Sequence, residues 1–400
     1  MGSIVRLRHP ESASHRPLRY APNRARQPAI VSGRLLVVSF HFPPAPGVAA
    51  QRVGALAREL QGLGWEIRVV AGPAAGGDGD AVRVAPRPGL PRIQGADWVA
   101  AARKHVLEQA RGADVALLSG GPFAPFLLGP ALRRRGVPYV LDFRDPWSWE
   151  PRFGRFRPGL RRRAGRTLER AGERRAVAGA AAIVTVAPEI SESYARLYPR
   201  SRDTIRTIRH GFDPADFVEP VEPEAEPVLL HAGTMLAGDR SPALVVETAR
   251  RVRARGTPLR VVLLGPFSPE LEPLVAEPER DGWLERRGPV SHRDAIEAMR
   301  RASVLWLQPG ELPFLVTGKV YEYLAARRPI VAAVREGAAA GLLRGTGGAL
   351  VVSPEPAAAA DAVDVALAGG VAPADEGALA ALAQPAIARE LDEILEAAIR

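Results

Sequence analysis

The residues best placed to do chemistry lie in the run Thr317-Gly-Lys-Val-Tyr-Glu-Tyr-Leu-Ala-Ala-Arg-Arg-Pro329. Gly318 frees the backbone where a helix is expected to begin, and Lys319 places a cation there. A helix N-terminus offers unpaired N–H groups and partial positive charge, so this geometry suits a phosphate. Glu322 follows one turn on, on the same face, where a carboxylate can accept ribose hydroxyls. The chain has 54 basic residues, and Lys104 and Lys319 are its lysines, all the rest being arginine. A lysine in so arginine-biased a chain points to a compact ammonium rather than a planar fork. The ordinary alternative is an amphipathic helix start with a solvated lysine, and on this run alone both readings stand.

Four more loops carry polar groups at the ends of expected strands. Phe40-His41-Phe42-Pro43-Pro44 leads to Gly47, whose freedom lets backbone approach a sugar or phosphate while His41 bonds a hydroxyl. A tight turn with a packed histidine explains it as well. Ser119-Gly120-Gly121-Pro122 reads equally as a ligand loop or a plain turn. Asp142-Phe143-Arg144-Asp145-Pro146-Trp147 gathers two carboxylates and a guanidinium, which are costly to bury without purpose. There Asp145 can serve as general base or hold acceptor hydroxyls, and Arg144 can hold a phosphate; an Asp–Arg cap is the alternative. His231-Ala232-Gly233-Thr234, with Gly238-Asp239-Arg240-Ser241-Pro242, makes a close-approach loop whose Arg240 is a second cation opposite Lys319. Ser241 as N-cap and Pro242 as first residue signal the next helix.

These loops must be positioned by strands. Arg34–Phe40, Glu66–Ala71, Asp114–Ser119, Pro138–Phe143, Ala181–Val186 and Thr204–Ile208 are continuous apolar runs of the kind a buried parallel sheet needs, with helices between them. Residues 213–227, rich in proline and acid, form no regular structure and join two domains. Alternation resumes with Val228–Ala232, Leu259–Leu264, Leu284–Arg287, Ser303–Gln308, Pro329–Ala333 and Ala349–Val352. The expected organisation is a basic, mostly disordered tail over residues 1–32 and a Rossmann-like domain over 33–212. The linker 213–227, a second Rossmann-like domain over 228–385 and a C-terminal helix over 386–400, packing back on the first domain, complete it. Ligands of such sheets bind beyond the strands' carboxyl ends, so the cleft between domains is the expected site.

Composition narrows the classes. Four hundred residues exceed one hydrophobic core, and 46% hydrophobic with 24% charged residues is a globular balance. No apolar run spans a membrane, the N-terminus lacks a secretory signal's apolar core, and zero cysteines exclude disulfide and thiolate chemistry. A cytoplasmic location is expected. The net charge of +10 points to acidic partners. Ten arginines against two glutamates between Pro151 and Arg175 mark a basic helix. Arg161–Arg163 with Leu160 and Leu168 can lie on an anionic membrane or form a solvated face. No histidine or carboxylate spacing suggests a metal site.

In their order, these segments resemble the GT-B glycosyltransferases of the family 4 type, which use nucleotide-sugars. The resemblance rests on Leu35–Pro44, Tyr139–Trp147, His231–Thr234, Gly318–Ala325 and Arg328–Val331, and it spans about residues 34–400. It implies two Rossmann-like α/β domains facing a cleft, with the donor in the second and a hydroxyl acceptor in the first. Carried over by position, Arg240, Lys319, Gly318, Thr317 and Gly233 would hold the donor diphosphate and Glu322 the ribose. Asp145, Arg144 and His41, with Gly47 in the loop, would face the acceptor. The resemblance further implies retention of anomeric configuration, no metal and no cofactor beyond the donor. A role in cell-surface polysaccharide or glycolipid synthesis is expected, and no nucleic-acid partner. Two positions depart from the family: Phe314 stands where many members have a sugar-reading glutamate, so either Glu311 substitutes from a shifted loop or sugar recognition differs, and Arg144 stands where many have a histidine. A nucleotide-sugar epimerase of the same fold, or a silent glycan- or nucleic-acid-binding protein, is the competing reading.

Overall fold

The computed structural model describes residues 32–75, 81–89, 95–148, 160–238, 240–308, 310 and 312–400, with only the backbone at 160–164. Most of the basic tail (residues 1–31), Glu311 and the side chains of Arg161–Arg163 lie outside the described residues.

The first half runs β1 (Gly33–Ser39), α1 (Val48–Gly62), β2 (Trp65–Ala71), β3 (Ala81–Arg83) and α2 (Ala96–Gln109). It continues through β4 (Val115–Ser119), α3 (Gly129–Arg133), β5 (Tyr139–Phe143), α4 (Leu160–Val177), β6 (Ala182–Thr185), α5 (Pro188–Leu197) and β7 (Ile205–Thr207). Its seven strands are parallel, in the order β3-β2-β1-β4-β5-β6-β7. The apolar runs are buried on both faces: every residue of β4 and β5 is buried, as such a sheet requires. Strand β3 falls inside a stretch whose Gly/Pro content predicts only loop; at three residues on a sheet edge, it is too short to leave a periodic signal.

The second half runs β8 (Val228–Ala232), α6 (Ala243–Ala254), β9 (Arg260–Leu264), α7 (Glu272–Arg280), β10 (Leu284–Gly288), α8 (His292–Arg301) and β11 (Val304–Leu307). Then come α9 (Gly318–Ala326), β12 (Ile330–Ala333), α10 (Ala338–Thr346), β13 (Ala349–Val352), α11 (Pro356–Leu367), α12 (Glu376–Ala381) and α13 (Gln384–Ile399). Its parallel sheet has the order β10-β9-β8-β11-β12-β13. Both orders reverse direction once, between β1 and β4 and between β8 and β11. Crossovers leave to opposite sides at these points, so the strand ends open a crevice there.

Two segments cross between the halves and hold each other. Phe212, shortly beyond the last strand of the first sheet, pairs with Ala383 as a parallel bridge, with Phe212 N donating to Leu382 O (3.2 Å) and Gln384 N to Phe212 O (2.9 Å). Helix α13 then lies on the first sheet, where Ile387, Ala388, Leu391 and Leu395 are buried against Leu35, Val37 and Val140, and Trp65 Nε1 donates to Asp392 Oδ1 at 2.6 Å. The proline- and acid-rich connection is not wholly irregular: Pro214–Phe217 forms one 3-10 turn, capped by Asp213, whose Oδ1 accepts from Ala215 N at 3.0 Å.

Candidate functional site

The second sheet's crevice is flanked by the loop after β8 and the N-terminus of α9. Helix α9 forms here because Val320, Tyr321, Tyr323 and Leu324 make one buried stripe, and it ends at Arg327 just ahead of Pro329. Thr317 is its N-cap with no side-chain bond, so the first N–H groups face the crevice unsatisfied by that hydroxyl. Ala232 N donates to the Tyr323 hydroxyl (2.8 Å) and Gly233 N to Leu264 O (2.7 Å), which fixes the loop to the helix. A Cβ on Gly233 would stand 2.8 Å from His231 Nε2 and 3.5 Å from Lys319 Cε. Glycine is therefore needed where loop backbone, imidazole and ammonium meet.

His231 is buried, and its Nδ1 donates to Trp306 O at 3.1 Å. Burial first, then the Lys319 and Arg240 charges, push it down to about 4, so the ring is neutral. Lys319 and Arg240 thus converge on one buried imidazole, and among the described residues neither has a carboxylate within ion-pair distance. Helix α6 begins one residue later than expected: Pro242 is the cap, and Ser241 Oγ still accepts from Ala243 N at 3.3 Å. Burial raises the Glu322 carboxyl, while His292 and Lys319 pull it down. Phe314 is buried in the core with Val316 and Val320, so no carboxylate stands at that position.

The first sheet's crevice faces this one. A Cβ on Gly318 would come within 3.5 Å of Val48 Cγ1, so the N-termini of α9 and α1 meet across the cleft. Gly47 caps α1 with φ 101°, a backbone that favours glycine. His41 is half-buried; burial and the Arg144 charge lower its pKa. The Arg144 guanidinium bonds loop carbonyls, with Nε 2.8 Å from Gly120 O and Nη2 2.8 Å from Gly121 O, so much of its phosphate-binding capacity is already used. Gly120 fits because a Cβ would lie 2.5 Å from the Phe126 ring, which makes Ser119–Pro122 a packed turn. Asp145 is raised by burial and lowered by Arg144, a combination that suits a proton acceptor.

Two residues not singled out from the sequence complete this side. Arg52, in the middle of α1, is buried, with Nη2 3.1 Å from Asp142 Oδ1, Nη1 2.8 Å from Arg209 O and Nη2 3.0 Å from Ile208 O. Burial pushes Asp142 up, but Arg52, Arg144 and the Ser119 hydroxyl at 2.9 Å together hold it below its ordinary value. The signal was available: Arg52 precedes Leu56 and Leu60 at helical spacing on the buried stripe. His210 is pushed down to about 3 by desolvation and then by Arg52, and its ring meets Tyr321 of the second half edge-on at 6.2 Å.

The two desolvated histidines, His231 buried and His210 half-buried, make acid stability predictable. An unfolded histidine gains its proton near 6.5, whereas these stay neutral to about 3 and 4, so the stability they allow is present above pH 6.5 and lost as pH falls below it. Urea midpoints should drop between about pH 7.5 and 5, and His231→Gln should flatten that drop. An unchanged wild-type midpoint would contradict the buried neutral assignment.

Residues 46–216 match the family model described as Glycosyltransferase Family 4, and residues 226–368 the model described as Glycosyl transferases group 1. No curated protein matches the chain in sequence. Among solved structures, a glycosyltransferase from Rickettsia africae has a TM-score of 0.67 at 14% identity, covering 92% of this chain and 99% of its own. HepE from Anabaena, in complex with UDP and glucose, has a TM-score of 0.60 at 13% identity, covering 90% of this chain and 95% of its own. UDP-GlcNAc 2-epimerase from Methanocaldococcus jannaschii has a TM-score of 0.59 at 10% identity, covering 90% and 99%. At these identities the likeness is one of fold.

Proposed function

The chain is a GT-B-fold member of the glycosyltransferases, its halves matching the family 4 and group 1 models in order, and from that premise we propose that it moves a sugar from a nucleoside diphosphate donor to a hydroxyl acceptor. The observation that carries the donor side is the convergence of Lys319 and Arg240 on His231 beside Gly233, at the strand ends where the second sheet reverses. In this reading the C1–O bond to the diphosphate breaks and the departing charge is taken by Arg240, Lys319 and the α9 N-terminus. The acceptor oxygen bonds to C1, and its proton passes to Asp145. Glu322 holds the ribose, and His41 with the Gly47 loop orients the acceptor. HepE's bound UDP and glucose make a nucleotide-sugar the natural first donor to try. Retention of configuration and hexosyl transfer belong to the same reading, which needs no metal and no resident cofactor.

A lipid-linked acceptor at an anionic membrane face fits helix α4, which exposes Leu168 (74%) among the exposed Arg170, Arg174 and Arg175. Among the described residues no helix is long and apolar enough to cross a membrane.

The test is a thermal-shift screen with UDP, GDP and dTDP, repeated on Lys319→Ala. A nucleotide at a hundredfold its dissociation constant should stabilise by about 2.7 kcal/mol. No shift with any nucleotide, or an equal shift in the variant, would sink the donor assignment. The epimerase reading rests on the shared fold, seen in the likeness to UDP-GlcNAc 2-epimerase from Methanocaldococcus jannaschii. Turnover of the sugar without any acceptor would decide for it.

A further inference from the structure

We propose that His292 is a positioning residue of the nucleotide pocket, holding the Glu322 carboxylate for the ribose hydroxyls and, through Asp216, tying that pocket to the segment that joins the two sheets. The inference rests on the reading of Glu322 as the ribose-binding carboxylate.

His292 opens α8 behind its cap, Ser291, whose Oγ accepts from Asp294 N at 3.2 Å. Its Nε2 lies 3.0 Å from Asp216 Oδ2, and its Nδ1 lies 3.9 Å from Glu322 Oε1. Both ring nitrogens therefore face carboxylates. A neutral imidazole has one N–H and would turn a lone pair toward one of the two; only the imidazolium presents an N–H to both, donating to Asp216 and facing Glu322 across a longer gap. The groups around it agree in sign: Asp216 and Asp213 come from the 3-10 turn and Glu322 from α9. On its own helix, Arg293 is paired with Glu219 at 3.0 Å, and Asp294 meets the cap residue Ser291 through its backbone N–H, its carboxylate adding a further negative charge to the same first turn. The Asp216 hydrogen bond raises the imidazole first, burial opposes it, and Glu322 and the other acids add to the rise.

The 3.9 Å gap is longer than a hydrogen bond, so the imidazolium fixes Glu322 electrostatically and leaves its oxygens open to a diol. On its other side Glu322 feels Lys319, the proposed diphosphate ligand. The connection continues away from the pocket. Asp213, at the start of the same turn, pairs with Arg58 Nη2 of α1 at 2.8 Å. A run of polar contacts thus leads from the ribose carboxylate on α9, through α8 and the connecting turn, to the first helix of the other half.

The experiment compares UDP with 2′,3′-dideoxy-UDP by calorimetric titration, with the two guanosine analogues in parallel, from about pH 6 to 9. The ratio of their affinities reads the ribose contact alone, because diphosphate ionisation is common to both. In the wild type the preference for the ribonucleotide should be on the order of tenfold and should shrink several-fold as pH rises through the raised His292 value. His292→Gln, which keeps a donor and does not titrate, should hold its preference flat across pH. His292→Ala should show a reduced preference throughout, and Asp216→Asn should move the fall to lower pH. If Glu322→Gln abolishes the preference while His292→Ala leaves its size and pH course intact, the positioning role is overturned. If Glu322→Gln leaves the preference intact, the ribose reading itself falls, and binding of no nucleotide removes the donor assignment.

Discussion

Lys319→Ala should lower turnover by about 10²–10³-fold with any accepted donor while leaving the fold intact. The side chain is half-buried at the start of α9 and no carboxylate among the described residues neutralises it at close range. Removing it leaves the buried stripe of Val320, Tyr321, Tyr323 and Leu324 in place, so the melting temperature without nucleotide should hardly move. What is lost is a charge aimed at the bond that breaks, where negative charge develops on the leaving group. Lys319→Arg should not restore the rate fully, because a planar fork cannot replace a compact ammonium beside Gly233 and His231. Single-turnover rates with a nucleotide-sugar would check this, and undiminished turnover in Lys319→Ala would move the diphosphate elsewhere.

The second large effect is on stability. Asp142→Ala or Arg52→Ala should each cost about 3–5 kcal/mol, read from urea unfolding. Both side chains are almost fully buried, at 2% and 3% exposed, and each satisfies the other's charge. Removing Asp142 strands a guanidinium whose Nε already lacks a partner, and it orphans the Ser119 hydroxyl as well. Removing Arg52 also releases the carbonyls of Ile208 and Arg209, where the chain leaves the first sheet for the second. Replacing both by apolar residues of similar volume should recover most of the loss, since a buried pair offsets its desolvation only while both members are present. The pH course has a defined sign. Asp142 titrates below its ordinary 3.8, so its contribution is full above that value and lost as pH falls through the lower folded one. Single variants within about 1 kcal/mol of wild type would mean the pair does not pin the domain.

The strands were legible because a parallel sheet buried on both faces needs uninterrupted apolar runs, and such runs are short, local and separated by glycine and proline. The closeness of the proposed donor residues was legible for a related reason. Gly318, Lys319 and Glu322 fall within one helical turn, and Gly233 and Arg240 within one loop, so local spacing already places them together. Phe314 was visible as a departure, and its burial with Val316 and Val320 gives that departure a physical form. The same locality explains the misses. The helix cap at Pro242 rather than Ser241 is a shift of one residue, and Pro214–Phe217 is a single four-residue turn, too short to leave a periodic signal.

Contacts between distant segments were not legible. Arg52 meets Asp142 across 90 residues, His292 meets Asp216 across 76, and Phe212 pairs with Ala383 only once both crossings are brought side by side. The sequence by itself determined two α/β halves, their connection and the residue types lining each strand end, because periodicity, turn chemistry and helix-terminus electrostatics act over a few residues. Tertiary structure alone decided that Arg144 bonds the neighbouring loop, that His231 stays neutral between two cations, and that Glu322 shares an imidazole with the connecting turn. Charge, burial and hydrogen bonding at those residues depend on what lies against them, and that is fixed only when the two sheets and the two crossing segments have packed.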